Sequence, residues 1–306
     1  SSILNSQSSI RNLSLYLHIP FSTRLCPYCH FYRVSEVLDW DVYLDAVARE
    51  LDTLKIPAGQ KVYTLYVGGG TPTLMPPEFY GSLLDMLREQ LDLTGLAEAT
   101  IETDGDPVAE ELTGFAQAGF DRVSVGLKSF NPRIREILGA GELPEEGPTA
   151  AARSAGFSSV GIDLIYGIEG QSMEDLILDL QLAVDQDPDH MSLYMLEGPE
   201  TGRPEEGDPD LTAAMFRESG RILRSAGYRQ YEITNFARPG AESLHNTVYW
   251  EDGDFIGLGP SAHSSITVDG VRDRLRNCPD LDAYLKDPAS CREEITREEG
   301  LDRARE

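Results

Sequence analysis

Cys26 and Cys29 stand three positions apart in a loop that follows a short apolar run, Leu15-Tyr16-Leu17, closed by His18-Ile19-Pro20. Two thiols at that spacing after a strand hold a metal ion or an iron–sulfur cluster, or they cycle as a redox dithiol. A second stretch, Gly68-Gly69-Gly70-Thr71-Pro72, also follows an apolar run. Bare glycines after a strand are often no more than a turn. The other two cysteines, Cys278 and Cys291, stand alone and are expected to be free structural thiols.

The elements that position these residues follow from hydrophobic periodicity. Leu15–Leu17, Val62–Val67, Ala99–Glu102, Arg122–Val125, Val160–Ile165 and Met191–Met195 read as six strands. Between them, Trp40, Tyr43, Leu44, Val47 and Leu51 recur at helical spacing, as do Phe79, Leu83, Leu84 and Leu87 behind Pro76-Pro77. Val108, Leu112 and Phe115 mark a third helix, and Ser172-Met173-Glu174-Asp175 has the form of a helix cap. A helix from about Leu211 to Ala226 returns the chain to Tyr228–Ile233. Strands alternating with helices imply parallel βαβ units with right-handed crossovers. Every polar or glycine-rich cluster lies just after a strand, on the rim where barrel enzymes keep their chemistry. An open doubly wound sheet would gather them at one switch point instead. The expected fold is α/β, a partial (β/α)6 TIM-like barrel over 14–234, with extensions at 1–13 and 235–306. From Asn235 to Ile266 the pattern breaks into loops, and Lys286–Glu306 reads as a charged helix.

With 306 residues, 41% hydrophobic and 25% charged, the chain can bury a sizeable core. A formal charge of −26 argues against nucleic acid or an anionic membrane as partner, because phosphates would be repelled. Four cysteines do not make a disulfide scaffold and suit a reducing, cytoplasmic setting. The opening SSILNSQSSIRN has no apolar core of a signal peptide, and no apolar run is long enough to span a bilayer.

Cys26-Pro27-Tyr28-Cys29 alone matches the dithiol of glutaredoxins, but nothing downstream supplies a thioredoxin-like strand order. With its flanks, His18-Ile19-Pro20-Phe21, then the cysteine loop and an aromatic, the stretch resembles the cluster loop of HemN/HemW-type radical S-adenosylmethionine (SAM) proteins. That family holds oxygen-independent coproporphyrinogen oxidases and their haem-chaperone relatives. The resemblance implies a 4Fe-4S cluster held by three thiolates, yet Ser22 stands where the family has its first cysteine. Cys26 and Cys29 remain, and His30 is a poor substitute because adjacent residues rarely point at one cluster. Gly68, Gly69, Gly70 and Thr71 are similar to the glycine motif whose backbone receives the methionine end of SAM. Glu102 and Asp163 match acidic or polar positions near that cofactor, and Lys128 replaces the family's glutamine in Gly-Val-Gln-Ser-Phe. The family's Leu-Gly-Arg-x-His appears here as Leu138-Gly139-Ala140-Gly141-Glu142. Four departures at one site imply natural decay rather than a single knock-out, and a balance against enzymatic activity. A Lys128 ion pair with Glu102 or Asp104 is expected where SAM would sit, since a carboxylate in an emptied site needs a partner.

Further on, His245-Asn246-Thr247-Val248-Tyr249-Trp250 resembles the HNxxYW signature of the haem-chaperone branch, in which the histidine is implicated in haem binding. Imidazole is the usual axial ligand to haem iron, and aromatics stack on a porphyrin. On spacing alone a satisfied His–Asn pair with two core aromatics is the plainer reading. The flanking Tyr231–Gly240 and Gly257–Ser264 motifs, in the family's order, favour the functional one. His263 is a second ligand candidate, although a turn histidine after Gly-Pro is more often structural. The resemblance runs from about Leu15 to Leu285. The family's C-terminal helical domain would begin about where this sequence stops. The implied function is haem or tetrapyrrole binding with a possible haem-acceptor protein as partner and radical chemistry lost. The alternative is an active oxidoreductase resembling coproporphyrinogen oxidase, with an irregular cluster.

Overall fold

The computed structural model describes residues 13–24, 26, 28–35, 39–54, 56–57, 59–105, 109–143, 147–197, 204–268 and 270–299. The expected extension before Leu13, together with Pro27 and Val108, lies outside them. Along the chain come β1 (Leu13–Ile19), α1 (Trp40–Leu54), β2 (Gln60–Gly69), α2 (Pro77–Gln90), β3 (Leu91–Asp92), β4 (Glu98–Asp104) and α3 (Ala109–Ala118). Next are β5 (Arg122–Lys128), α4 (Pro132–Ile137), α5 (Pro148–Ala155), β6 (Ser159–Tyr166), α6 (Met173–Asp185), β7 (His190–Met195) and α7 (Pro209–Ser225). The remainder is β8 (Arg229–Gln230), β9 (Asn235–Ala237), α8 (Leu244–Trp250), β10 (Phe255–Leu258), β11 (His263–Val268), β12 (Val271–Asn277), α9 (Leu281–Lys286) and β13 (Arg292–Glu299). The six expected strands are present as β1, β2, β4, β5, β6 and β7. The chain divides into two compact units, one of residues 1–23, 31–99 and 244–306, the other of 24–30 and 100–243.

In the first unit the strand order is β13-β12-β11-β10-β1-β2, with β3 beside β2. β10, β1 and β2 are parallel, and β11, β12 and β13 follow as an antiparallel meander. β1 is buried along nearly its whole length, as a strand covered on both faces must be. α1 buries Tyr43, Val47, Leu51 and Leu54 at i, i+4, i+8 and i+11, one apolar stripe. Glu50 shares that stripe. Its carboxylate accepts from Gly259 N (2.9 Å), Asn277 Nδ2 (2.7 Å) and the Tyr284 hydroxyl (2.6 Å), and pairs with Arg292. A buried charge this fully partnered ties α1 to the last third of the chain.

That last third departs from expectation in three places. Asn235–Ile266 is not loop but carries β9, α8, β10 and the start of β11. The segment 292–299 is a strand rather than part of a charged helix. Its charges find opposite partners across β12, Arg276 with Glu293 and Asp273 with Arg297, which favours pairing over a solvated helix. Cys278 and Cys291 are not free. They close a disulfide with Cα atoms 5.0 Å apart, which thirteen residues of separation in sequence did not suggest.

In the second unit β4, β5, β6 and β7 are parallel, β9 runs antiparallel to β7, and β8 pairs β9. Of the expected return at Tyr228–Ile233 only Arg229–Gln230 is strand. Leu127, Ile162, Met191, Leu180 and Phe236 form its core between sheet and helices. The Ser172–Asp175 capping box that starts α6 is complete on both sides, as the sequence implied.

Candidate functional site

In the second unit the ends of β4, β5, β6 and β7 gather charge. Lys128 Nζ lies 3.3 Å from Asp104 Oδ1, so the ion pair read from the sequence forms with Asp104 rather than Glu102. Parallel register explains the choice, because Asp104 and Gly126 are opposite each other while Glu102 lies beside Ser124. Lys128 follows an irregularity in the β5–β6 pairing and has φ +76°. Ser124 Oγ donates to both oxygens of Asp163, at 3.1 and 3.0 Å. Burial pushes the Asp163 carboxyl above its usual range, while bonds from Ser192 and Ser124 and the charges of Arg122 and Lys128 pull it back. The Tyr194 residue is 44% exposed, but enclosure of its hydroxyl end, then the charges of Asp163 and Glu102, keep the phenol protonated. Glu102, Lys128 and Asp163 are thus brought together. Arg122, Ser124, Ser192 and Tyr194 belong to the same cluster and were missed in the sequence. The signal was their alternation on β5 and β7, which puts every second residue on Asp163's face.

The cysteine loop belongs to this unit. Cys26 and Cys29 are half-buried thiols with no disulfide between them, joined by a turn in which Cys29 N donates to Cys26 O (3.3 Å). Tyr28 between them packs on Ile134, Leu138, Ile168 and Leu196. Burial and the neighbouring Cys26 keep its phenol protonated.

Ser22 and the glycine run lie in the first unit. Ser22 is 3% exposed, its N–H donates to Val34 O (3.0 Å), and its hydroxyl lies 3.3 Å from that of Thr71. Gly70 N and Thr71 N donate to Ile19 O (2.7 Å) and Phe21 O (2.8 Å), so β2 continues its pairing with the chain after β1 through the glycines. A Cβ on Gly70 would stand 2.4 Å from Phe21 O, and Gly69 has φ +116°, so close approach and backbone conformation both demand glycine. His18, opposite Gly68, donates from Nε2 to Tyr32 O (2.7 Å) and accepts at Nδ1 from the Tyr16 hydroxyl (3.1 Å). Burial lowers its pKa from 6.5 to about 4, against the bond to Tyr32 and with help from His263.

His245 is also in the first unit, on α8, and only 1% exposed. Both ring nitrogens are engaged, Nδ1 with Thr64 Oγ1 (2.7 Å) and Nε2 with the Tyr249 hydroxyl (2.8 Å). Glu98 accepts from the backbone N–H of Leu244 (2.7 Å) and His245 (3.2 Å) and so fixes the start of the helix. The Tyr66 ring lies 5.1 Å from the imidazole. One turn on from His245, Tyr249 is 39% and Trp250 55% exposed. His263 is an exposed residue on β11, and partial enclosure of its ring, then the charge of Arg276, lower its pKa against a bond to the Ser261 backbone.

These residues do not fit a 4Fe-4S cluster that takes three thiolates. Two thiols are present, and the third position is a buried hydroxyl beside Thr71. Among the described residues no three Cys, His, Asp or Glu side chains could hold a metal ion together.

Residues 16–183 match the Radical SAM superfamily. "Heme chaperone HemW" of Escherichia coli is 36% identical over 266 residues, which cover 83% of this chain and 70% of that protein. "Radical S-adenosyl methionine domain-containing protein 1, mitochondrial" of Mus musculus is 32% identical, over 87% of this chain and 63% of its own length. Among solved structures, the radical SAM enzyme coproporphyrinogen III oxidase (HemN) from Escherichia coli superimposes with a TM-score of 0.76 at 28% identity, over 90% of this chain and 69% of that one. The partial α/β barrel expected from the order of strands and helices is therefore the fold. The chain belongs to the radical SAM superfamily and, within it, to the HemW group.

Proposed function

We propose that this protein binds haem or a related tetrapyrrole as cargo for an acceptor protein and carries out no SAM-dependent radical chemistry. The observation that carries the first half is the α8 helix. It presents Trp250 and Tyr249 to solvent while His245 behind them is locked by hydrogen bonds at both nitrogens. Exposed aromatics on a rigid support suit the face of a porphyrin. The second half is supported by the donor set, two thiols and a buried serine. The Lys128–Asp104 pair supports it as well, because it puts a lysine ammonium and its own carboxylate partner where the resemblance would place the cofactor. The relatives named as haem chaperones make the same reading the most economical.

Titration of the purified chain with ferric haem should give saturable binding, followed by the haem absorption band. Anaerobic reconstitution should leave well under about four irons per chain, and Ser22→Cys should raise that content. A full complement of iron and sulfide in the wild type would return the protein to the radical enzymes.

A further inference from the structure

The hydrogen bonds around His245 have a direction. Thr64 Oγ1 donates to Ser14 Oγ at 2.8 Å, which uses the one hydroxyl hydrogen it has. Thr64 can then only accept from His245 Nδ1, so that nitrogen carries the imidazole proton. Nε2 is left with its lone pair, and the Tyr249 hydroxyl 2.8 Å away must be the donor. The chain of donors runs one way, Tyr249 to His245 to Thr64 to Ser14. The imidazole cannot rotate out of it without breaking bonds at both ends, and the Tyr66 and Tyr16 rings flank it at 5.1 and 6.5 Å. Tyr249 differs. Its ring is held edge-on by His245 (5.0 Å) and Phe255 (4.6 Å), yet the residue is 39% exposed.

We infer that Tyr249, not His245, supplies the protein's bond to a ferric tetrapyrrole, and that His245 is a positioning residue that accepts the phenolic proton. The inference rests on the proposed haem binding and names the group that makes it. When the phenolic oxygen bonds ferric iron, its O–H bond breaks and the proton moves to His245 Nε2. No electron is transferred, and the imidazolium so formed lies beside the phenolate–iron unit and still donates from Nδ1 to Thr64. A hard oxygen anion favours ferric over ferrous iron, so reduction should loosen the bond and release cargo. Direct ligation by His245 would have to use Nε2, on a ring that is 1% exposed and whose Nε2 is already taken by the Tyr249 hydroxyl standing between it and solvent.

Ferric haem added to the wild-type chain should give the charge-transfer band and Raman modes of an iron–phenolate. Tyr249→Phe should abolish those signals and weaken ferric binding by about tenfold or more. His245→Leu should shift the phenolate bands, and dithionite reduction of the wild type should release haem. An unchanged spectrum and affinity in Tyr249→Phe would overturn the assignment to Tyr249 while leaving haem binding in place. Failure of the wild type to bind ferric haem saturably would overturn the proposed function and this inference with it. Tyr249 is partly exposed and phenylalanine keeps its ring, so the decisive variant does not depend on refolding a core position.

Discussion

His18 is held neutral by its surroundings, with a carbonyl accepting at one nitrogen and a tyrosine hydroxyl donating at the other. With its pKa lowered from 6.5 to about 4, the unfolded chain binds a proton between those values and the folded chain does not. Stability is therefore complete above pH 6.5 and is lost as pH falls toward 4, by about 3 kcal/mol in all. His190 and His263 shift in the same direction, so they add to the slope. Urea midpoints measured from pH 7.5 down to 5 should fall, and His18→Asn should flatten the slope. An unaltered slope in that variant would remove His18 as its source. His245 obeys the same local chemistry with a different outcome, because its outer partner is a tyrosine that reaches solvent.

The end of β5 shows how an element holds a residue in an unfavourable conformation. Lys128 has φ +76°, which costs a residue with a Cβ about 1–2 kcal/mol. The following turn is fixed by Asp179, which accepts from Ser129 Oγ (2.6 Å), Phe130 N (2.7 Å) and Asn131 N (3.2 Å). Arg135 adds bonds to Leu127 O (2.7 Å) and Ser129 O (3.0 Å). The turn sets the conformation, and the bond to Asp104 compensates in part. Lys128→Gln keeps the strain and loses the pair, so it should unfold at lower urea by about 1–2 kcal/mol, since Asp104 is partly solvated. Lys128→Gly relieves the strain and should recover about 1 kcal/mol of that loss. Equal stability of wild type and the glutamine variant would show that water screens the pair completely.

For the whole molecule, repulsion among carboxylates sets how stability responds to salt. Asp and Glu number 52 against 26 Lys and Arg, which gives the formal charge of −26. With twice as many acidic as basic residues, at least half the carboxylates have no cation of their own to pair with, and the net negative charge is self-repelling near neutrality. Raising ionic strength from about 0.01 to 0.15 M shortens the screening length from about 30 to 8 Å. The melting temperature should rise with sodium chloride over that range. A fall would mean that exposed pairs such as Arg49–Asp45 and Arg221–Glu218 outweigh the general repulsion.

The alternation of six apolar runs with helical stretches was sufficient to define the class of fold, because burial on one face leaves a period that any single sequence displays. The capping box of α6 was legible because it is a local rule of backbone and side chain, and the Lys128 pair because its strands were expected to be neighbours, with the choice of Asp104 left to the structure. Tertiary structure decided what depends on partners distant in sequence. The strand at 292–299 exists because β12 offers it opposite charges, and Cys278 meets Cys291 because that meander brings them together. His245 could be singled out by type and neighbours, but its burial and its two bonds come from Thr64, 181 residues earlier, and from the turn of helix that brings Tyr249 alongside. Only the fold makes it a buried acceptor and leaves Tyr249 as the group that faces solvent.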